Sequence, residues 1–401
     1  MVTAADSRRG SIRDVFKAFL LLGVTAFGGP VAHLGYFRHE FVARRQWLSE
    51  QAYADLVALC QFLPGPASSQ VGFAIGMQRA GLWGGVAAWT AFTLPSAVLL
   101  VMFALSAAAF DNATGNAIIN GLKITAVAIV AHAVWGMART LCPDLRRAGI
   151  ALAALLIVAS LGGTSGQLLA IVMGAVAGGW LCRGDTTRPS DNAMALSLSP
   201  RVSITAGVLF ISLLIGLPLL AAGIDAAPVA VMDAFYRAGA LVFGGGHVVL
   251  PLLQTAVVDP QWVSAEHFIA GYGAAQAIPG PLFTFAAYLG AVMPSFVHPA
   301  IGVPLALLMI FLPGILLLIA VLPYWQRLRG APHAQALMRG TNAAVVGLLA
   351  AALIHPIASS ALISIPAMIM ALVGFLLLTV WRAPAWAVVM VLVAASLIIG
   401  G

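Results

Sequence analysis

Apolar residues fall in runs of about 17–28 positions along most of the chain, and short polar loops separate these runs. A transmembrane helix needs about 20 apolar residues, whereas a barrel strand shows about ten residues of alternating polarity. The pattern therefore predicts an all-α polytopic membrane protein. The predicted segments cover approximately residues 15–36, 52–76, 82–109, 116–138, 148–161, 166–182, 202–222, 231–255, 267–292, 300–323, 335–356, 359–380 and 384–400.

Short motifs from the first half of the chain recur in the second half, in the same order. The matching pairs are FGGP at 27–30 with FGGG at 243–246, QWLS at 46–49 with QWVS at 261–264, and PGP at 64–66 with PGP at 279–281. A nearly constant offset of 215 or 216 residues indicates a tandem duplication. We predict two homologous repeats at 12–182 and 231–401, joined by a cytoplasmic linker at 183–201 and a connecting transmembrane span at 202–222.

Loop charges predict how the two repeats are oriented, because basic loops face the cytoplasm. In the first repeat the loops with Arg44 and Arg79 would be cytoplasmic, while Asp111–Asn116 has no basic residue. In the second repeat Val258–Glu266 has no basic residue and Tyr324–Arg329 has two. Equivalent loops therefore fall on opposite sides. This predicts two homologous halves in an inverted-topology repeat, a plan common in secondary transporters.

The sequence allows two alternatives for the number of membrane crossings. The N-terminal residues 8–17 and the loop 38–45 are both basic, although one full span would separate them. Either all thirteen segments cross and one loop breaks the charge rule, or the first segment is a re-entrant hairpin broken at Gly28-Gly29-Pro30. We prefer the re-entrant alternative, which also suits the PGP segments. The Gly- and Pro-broken helices of both halves are then expected to meet near the midplane.

Composition narrows the functional class. The chain has 401 residues, of which 61% are hydrophobic and 8% charged, with a mean hydropathy of +1.01. A water-soluble fold, with about 25% charged residues, is excluded. The three cysteines are dispersed without metal-ligand spacing, so neither a disulfide framework nor a metal site is expected. Nucleotide-binding and hydrolase motifs are missing, so we expect no cofactor, no enzymatic activity and transport driven by ion gradients or membrane potential.

The PGP motifs are the main candidates for a site. A proline breaks a continuing helix but is tolerated in the first turn of a new one. The amides after Pro66, the hydroxyls of Ser68 and Ser69, and their counterparts after Pro281 would face a solute. The half-helix dipoles and the glycine-rich FGG motifs favour an anion there. The alternative is that both motifs only bend helices for packing.

Other polar residues in apolar runs have a functional and a packing interpretation. Gln61 and Gln276 precede their PGP motifs by three residues, and Lys123 would be an ionisable group at membrane depth. His33, Asp55 and His247 are candidates for proton coupling. The full predicted substrate site comprises Phe27, Gly28, Gly29, Pro30, Gln61, Pro64, Gly65, Pro66, Ser68, Ser69, Lys123, Gly244, Gly245, Gly246, Gln276, Pro279, Gly280, Pro281 and Thr284.

The paired FGG and PGP motifs, with His33, Trp47, Gln61, Trp262 and Gln276, resemble those of the chromate ion transporter (CHR) family in its long, two-domain form. The resemblance covers the chain except residues 1–11 and 186–200. It implies a secondary transporter that exports chromate, or a similar tetrahedral oxyanion such as sulfate, across the bacterial inner membrane. Gly246 stands where the first half has Pro30, so the halves need not contribute equally.

Alternatives to an exporter are an oxyanion channel, a sulfate-type importer and, less favoured, a membrane-embedded enzyme. The expected partners are a small oxyanion and the lipid bilayer, without nucleic acid, and a homodimer is left open.

Overall fold

The computed structural model describes residues 10–106, 112–183, 198–293 and 296–400, and within these ranges its regular structure is helical. Most of the predicted linker, residues 184–197, lies outside the described residues. The helices up to the connecting span are α1 Ile12–Thr25, α2 Gly29–Phe37 with a π-helical extension Arg38–Arg44, α3 Glu50–Phe62, α4 Ala67–Ser106, α5 Ala113–Leu141, α6 Leu145–Leu161, α7 Gly163–Leu181 and α8 Pro200–Gly223.

The second half repeats this series with additional breaks. Its helices are α9 Ala227–Ala240, α10 Val249–Val257, α11 Ala265–Ala277, α12 Phe285–Ala291, α13 Pro299–Val321, α14 Trp325–Arg329, α15 Pro332–Ala352, α16 Ser359–Ala361, α17 Ile365–Thr379 and α18 Ala385–Gly400. Among the described residues, six helices are long and apolar enough to cross a membrane. The chain is an all-helical, multi-pass membrane protein, as predicted.

The chain doubles back at the first FGG motif. Phe19 on α1 packs against Phe37 and Phe41, with ring centroids 5.5 and 4.7 Å apart. A continuous helix would hold Phe19 and Phe37 about 27 Å apart at 1.5 Å per residue. Thr25 ends α1 and Gly29 begins α2, so the two helices form a hairpin, here called the first FGG hairpin. The structure favours the re-entrant alternative.

A second hairpin, the first PGP hairpin, consists of α3 and residues 67–79 of α4. The guanidinium of Arg79, at its end, lies 5.2 Å from the ring of Trp47, just before its start. The N–H of Gly10 donates to the carbonyl of Arg79 at 3.0 Å. Gly10 and both ends of the PGP hairpin therefore lie at one face of the molecule.

The helix α4 turns sharply after this hairpin. Ala80 and Gly81 leave the helical conformation, and Gly76 then packs directly against Gly84. Because residues on either side of the turn touch, residues 82–106 run back along residues 67–79. We call residues 82–106 the long limb of α4.

The second half forms the same two hairpins. The second PGP hairpin pairs α11 with α12, since the hydroxyl of Tyr288 donates to the carbonyl of His267 at 3.0 Å. The rings of Phe268 and Phe285 lie 5.2 Å apart across it. The second FGG hairpin consists of α9 and α10, which break apart around Gly245.

The long limb of α4 contacts both PGP hairpins in turn. Its start packs on the first PGP hairpin through Gly84, and its middle meets Gly280 at the tip of the second hairpin through Ser96. Near its end Phe103 stacks on Tyr288, 5.8 Å between centroids. The two hairpins therefore point towards each other from opposite ends of the limb, an arrangement that agrees with an inverted repeat.

The backbone conformation also shows the repeat. Gln46 and Gln261, at equivalent positions, both adopt a left-handed conformation, with φ of 52° and 62°. The halves are also interlocked: α5 packs against α17 and α18 of the second half, while α15 packs against α6 and α7 of the first.

Candidate functional site

The tips of the four hairpins meet at the centre of the molecule. The N–H of Gly65 donates to the carbonyl of Val242 at 2.8 Å, and the N–H of Gly280 donates to the carbonyl of Ala26 at 2.9 Å. Val242 and Ala26 each precede the FGG motif of the other half. Each bond therefore joins the PGP tip of one half to the FGG tip of the other.

The two FGG tips also touch at equivalent positions. A Cβ atom placed on Gly246 would lie 2.9 Å from Cγ of Pro30, closer than two carbon atoms pack. Since these residues correspond in the two repeats, the approximate two-fold relation between the halves passes between them. The contact explains why the second half has glycine here: the ring of Pro30 fills the space that a side chain would need.

Gln70 fixes the conformation of the first PGP tip. Its Nε2 donates to the carbonyls of Pro64 at 3.0 Å and Gly314 at 2.9 Å. Its backbone N–H makes the first bond of α4, to the carbonyl of Pro66 at 2.9 Å. The amides of residues 67–69 thus precede the first intrahelical bond, which is the geometry predicted from the motif.

Five buried polar side chains lie on the segments that meet at this tip and are called the polar cluster. They come from the first FGG hairpin, the first PGP hairpin and the long limb of α4: His33, Ser68, Ser69, Gln70 and Thr93. The Nδ1 of His33 faces Oγ of Ser68 at 3.5 Å. Four atoms of the cluster have no hydrogen-bond partner: His33 Nε2, Ser69 Oγ, Gln70 Oε1 and Thr93 Oγ1.

These free atoms are energetically significant. Leaving one buried polar group without a partner costs about 1–3 kcal/mol, and most such groups in proteins are satisfied. Four such atoms on neighbouring segments make this tip a candidate site for a polar solute or water. The two hydroxyls can donate, the histidine can donate from Nε2 when Nδ1 accepts, and the glutamine oxygen can only accept.

The second half is less polar at the equivalent tip. The hydroxyl of Thr284 donates to the carbonyl of Pro281 at 2.7 Å, so it is used within its own turn. A 3₁₀ turn at Leu282–Thr284 replaces the first helical turn, and α12 has only 7 residues. The helix that follows Pro281 is therefore shorter and begins with a tighter, less polar turn than the helix that follows Pro66.

Polar groups of the second half lie around its FGG tip instead. The Nδ1 of His247 and the hydroxyl of Tyr272 are 2.7 Å apart. Gln276, one turn after Tyr272, is also buried. The buried Oδ1 of Asn342 lacks a partner and lies near Gly244.

Several predicted residues are not part of the polar cluster. The ammonium of Lys123 is bonded to Glu266 at 3.1 Å, near the exposed base of the second PGP hairpin. Gln61 is exposed, unlike its counterpart Gln276. Asp55 is buried on α3, about 13 Å along the helix from Pro64. Phe27 packs against a tryptophan of α18.

The remaining predicted residues form the tips themselves. Gly65, Pro66, Pro279 and Pro281 are buried, and Gly28 and Gly245 are exposed, while the others are half-buried: Gly29, Pro30, Pro64, Gly244 and Gly280. Sequence reasoning missed four polar residues near the tips: Gln70, Thr93, Tyr272 and Asn342. A helical-face argument could have found Tyr272, four residues before Gln276, but Thr93 reaches the cluster only through the folding back of α4.

Known proteins resemble this chain over nearly its whole length. The family model described as "Chromate transporter" matches residues 13–180 and again residues 229–400. A probable chromate transport protein of Synechococcus elongatus is 26% identical over 362 residues, which are 86% of this chain and 84% of that protein. Chromate transport proteins of Cupriavidus metallidurans and Pseudomonas aeruginosa are 26% and 28% identical, covering 92% and 85% of this chain and 88% and 80% of theirs.

No solved structure matches the chain. The family match in both halves, the all-helical membrane architecture and the hairpin tips lead to one conclusion: the chain belongs to the chromate transporter family of ion-transporting, multi-pass membrane proteins.

Proposed function

We propose that this protein is a secondary transporter that exports chromate, or a similar tetrahedral oxyanion such as sulfate, from the bacterial cytoplasm across the inner membrane. Its relatives are named chromate transport proteins. The substrate binds at the hairpin tips, and most of its polar contacts come from the first half.

The observation that carries this proposal is the set of unsatisfied atoms in the polar cluster. The hydroxyls of Ser69 and Thr93, on the two limbs of α4, and Nε2 of His33, on α2, can each donate, beside the amides that open α4. An oxyanion accepts hydrogen bonds in several directions at once, so convergent donors suit it. The side-chain oxygen of Gln70 would accept a hydrogen bond from a water that accompanies the anion, or from a protonated oxygen of the anion.

The charge balance also favours an anion. None of the five cluster side chains carries a carboxylate, and the N-terminus of α4 adds roughly half a positive elementary charge. An inside-negative potential assists the outward movement of an anion by about 2.3 kcal/mol per charge per 100 mV. Export of a dianion therefore needs no coupled proton to be favourable.

Uptake of chromate into everted membrane vesicles tests the proposal. We expect Ser69→Ala and Thr93→Val to lower uptake at least tenfold, roughly the effect of one lost charge-assisted hydrogen bond. Ser203→Ala and Thr125→Val are matched controls: Ser203 is buried on α8, and the hydroxyl of Thr125 bonds within its own helix.

Three outcomes would contradict the proposal in different ways. Uptake that is absent from the wild-type vesicles would exclude export of chromate. Equal uptake by cluster variants and controls would exclude the polar cluster as the site. A flux that rises linearly with chromate, without saturation, would indicate a channel.

A further inference from the structure

A cavity of about 440 Å³ lies apart from the polar cluster, between α7 of the first half and α9 and α10 of the second. Its polar lining consists of Thr164, Gln167, Asp233, Arg237, Thr255 and Asp259. One wall includes Leu241, which is two residues before Phe243 of the second FGG motif. The cavity thus reaches from the base of the second FGG hairpin to the neighbourhood of its tip.

The cavity contains an ion pair within an apolar helix. Nη2 of Arg237 donates to Oδ2 of Asp233 at 2.5 Å, one turn away on α9. Asp233 is buried, and both its Oδ1 and Nε of Arg237 are without partners. Each ion therefore keeps one unsatisfied polar atom. Ionisable groups at membrane depth are costly and usually functional.

The hydroxyl of Thr255, which lines the same cavity, is held by a hydrogen bond. Nε2 of Gln167 donates to the carbonyl of Pro251 at 2.8 Å and to Oγ1 of Thr255 at 2.7 Å. Because the oxygen of Thr255 accepts from Gln167, its own hydrogen is directed elsewhere, and Thr255 lines the cavity. A guanidinium and a hydroxyl that line one cavity are groups that can bind a tetrahedral oxyanion.

We propose that this cavity is a second oxyanion site, on the path between the hairpin tips and the face opposite the arginine-rich loops. Arg237 and Thr255 bind the anion, while the carboxylate of Asp233 competes with it for the guanidinium and Asp259 adds a second acidic side chain to the lining. The competition keeps affinity low, so an exported anion is released instead of being retained. This inference rests on the proposed function, because it assigns the release step of the same transport.

The sequence supports a role confined to the second half. The positions equivalent to Asp233 and Arg237 are Lys17 and Leu21, at the offset of 216 residues. The Asp–Arg pair is therefore not part of what the duplication shares. A feature of one half suits a step that occurs on one side of the membrane only.

Product inhibition in everted vesicles tests the release site, because their lumen corresponds to the outer face. Vesicles are preloaded with unlabelled chromate, and uptake of labelled chromate is measured. We expect Asp233→Asn to lower the concentration of luminal chromate that halves uptake by about tenfold. Arg237→Gln should raise that concentration about tenfold. In both variants the KM for external chromate should change by less than about twofold. The matched controls are Asp225→Asn and Arg147→Gln, which remove the same charges outside the cavity and should leave inhibition unchanged.

The results separate this inference from the proposed function. Absent uptake by wild-type vesicles would overturn both. If wild-type vesicles take up chromate normally, and luminal chromate inhibits Asp233→Asn and Arg237→Gln as it inhibits the controls, only the release site is overturned. Should Arg237→Gln fail to reach the membrane, Arg237→Lys and Thr255→Val replace it. Both are expected to raise the half-inhibiting concentration, and an unchanged value in both would overturn the inference.

Discussion

The amide of Gly65 is bonded to the carbonyl of Val242 at 2.8 Å, so the PGP tip of one half is held by the residue before the FGG motif of the other. The reciprocal bond joins Gly280 to Ala26. Each PGP tip therefore donates a backbone hydrogen bond to a carbonyl of the opposite repeat. The site is therefore a property of the interlocked halves.

These bonds depend on the glycines. Gly65 and Gly280 have φ of 117° and 101°, and a Cβ atom on Gly65 would lie 2.9 Å from Cα of Gly314. We predict that Gly65→Ala destabilises the fold by at least about 1–3 kcal/mol from backbone strain alone and abolishes chromate uptake. Thermal unfolding in detergent and vesicle uptake measure the two effects.

Gly136→Ala is the control for this prediction. Gly136 lies within α5, and nothing stands within 4 Å of its added Cβ, so uptake should be retained. Wild-type stability and uptake in Gly65→Ala would show that the tip tolerates a different backbone.

A second prediction concerns Lys123. Its side chain is 6% exposed and pairs with Glu266, which is 73% exposed. Because the pair lies at the base of the second PGP hairpin, Lys123→Met should lower the unfolding temperature or uptake rate modestly and leave KM for chromate within about twofold. The reversed pair Lys123→Glu with Glu266→Lys should recover part of any loss. A KM raised tenfold or more in Lys123→Met would instead place the ammonium at the substrate.

The contrast between the tips and Lys123 shows what the sequence could predict. The breaks at Gly28 and Pro64 follow from local chemistry, because a φ that only glycine adopts easily and a missing proline N–H act within a few residues. The sequence repeat then predicts the corresponding helix breaks in the second half. The partner of Lys123 is 143 residues away, and no local pattern encodes that pairing.

The unequal halves were only partly foreseeable. At the offset of 215 residues, Thr284 is the counterpart of Ser69. A threonine beside a helix start often bonds its own turn, and Thr284 does so through the carbonyl of Pro281. Gly246 opposite Pro30 was the sequence feature that already indicated unequal contributions.

A third prediction is a pH dependence at the base of the first FGG hairpin. Burial opposes the ionisation of Glu40, but hydrogen bonds from Arg45 and Arg44 outweigh it and hold the pKa of this carboxyl below 4.5. A carboxylate with a lowered pKa stabilises the fold above its unfolded pKa, and the contribution disappears as the pH falls through the folded value.

Glu40→Gln should therefore lower the unfolding temperature at about pH 7, and the difference from wild type should shrink below about pH 4. Glu50→Gln is the matched control, because its pair with Arg38 is solvent-exposed and should contribute little. A difference between Glu40→Gln and wild type that is independent of pH would show that packing, not charge, accounts for the loss.

The last prediction tests the hairpins against thirteen full crossings. Cys60, Cys142 and Cys182 are free, so they are first replaced by serine or alanine, and single cysteines are then introduced. We expect Ser11→Cys, Gln46→Cys and Leu82→Cys to react with an impermeant maleimide from the cytoplasmic face.

Asp225→Cys and Gln261→Cys should react from the other face. Gln46 and Gln261 share one backbone conformation and one place in the repeat, so their opposite labelling would establish the inversion directly. Ser11 and Gln46 decide the hairpin, because the first FGG segment lies between them. Labelling of these two positions from opposite faces would mean that this segment crosses the membrane, in conflict with the contacts of Phe19 with Phe37 and Phe41.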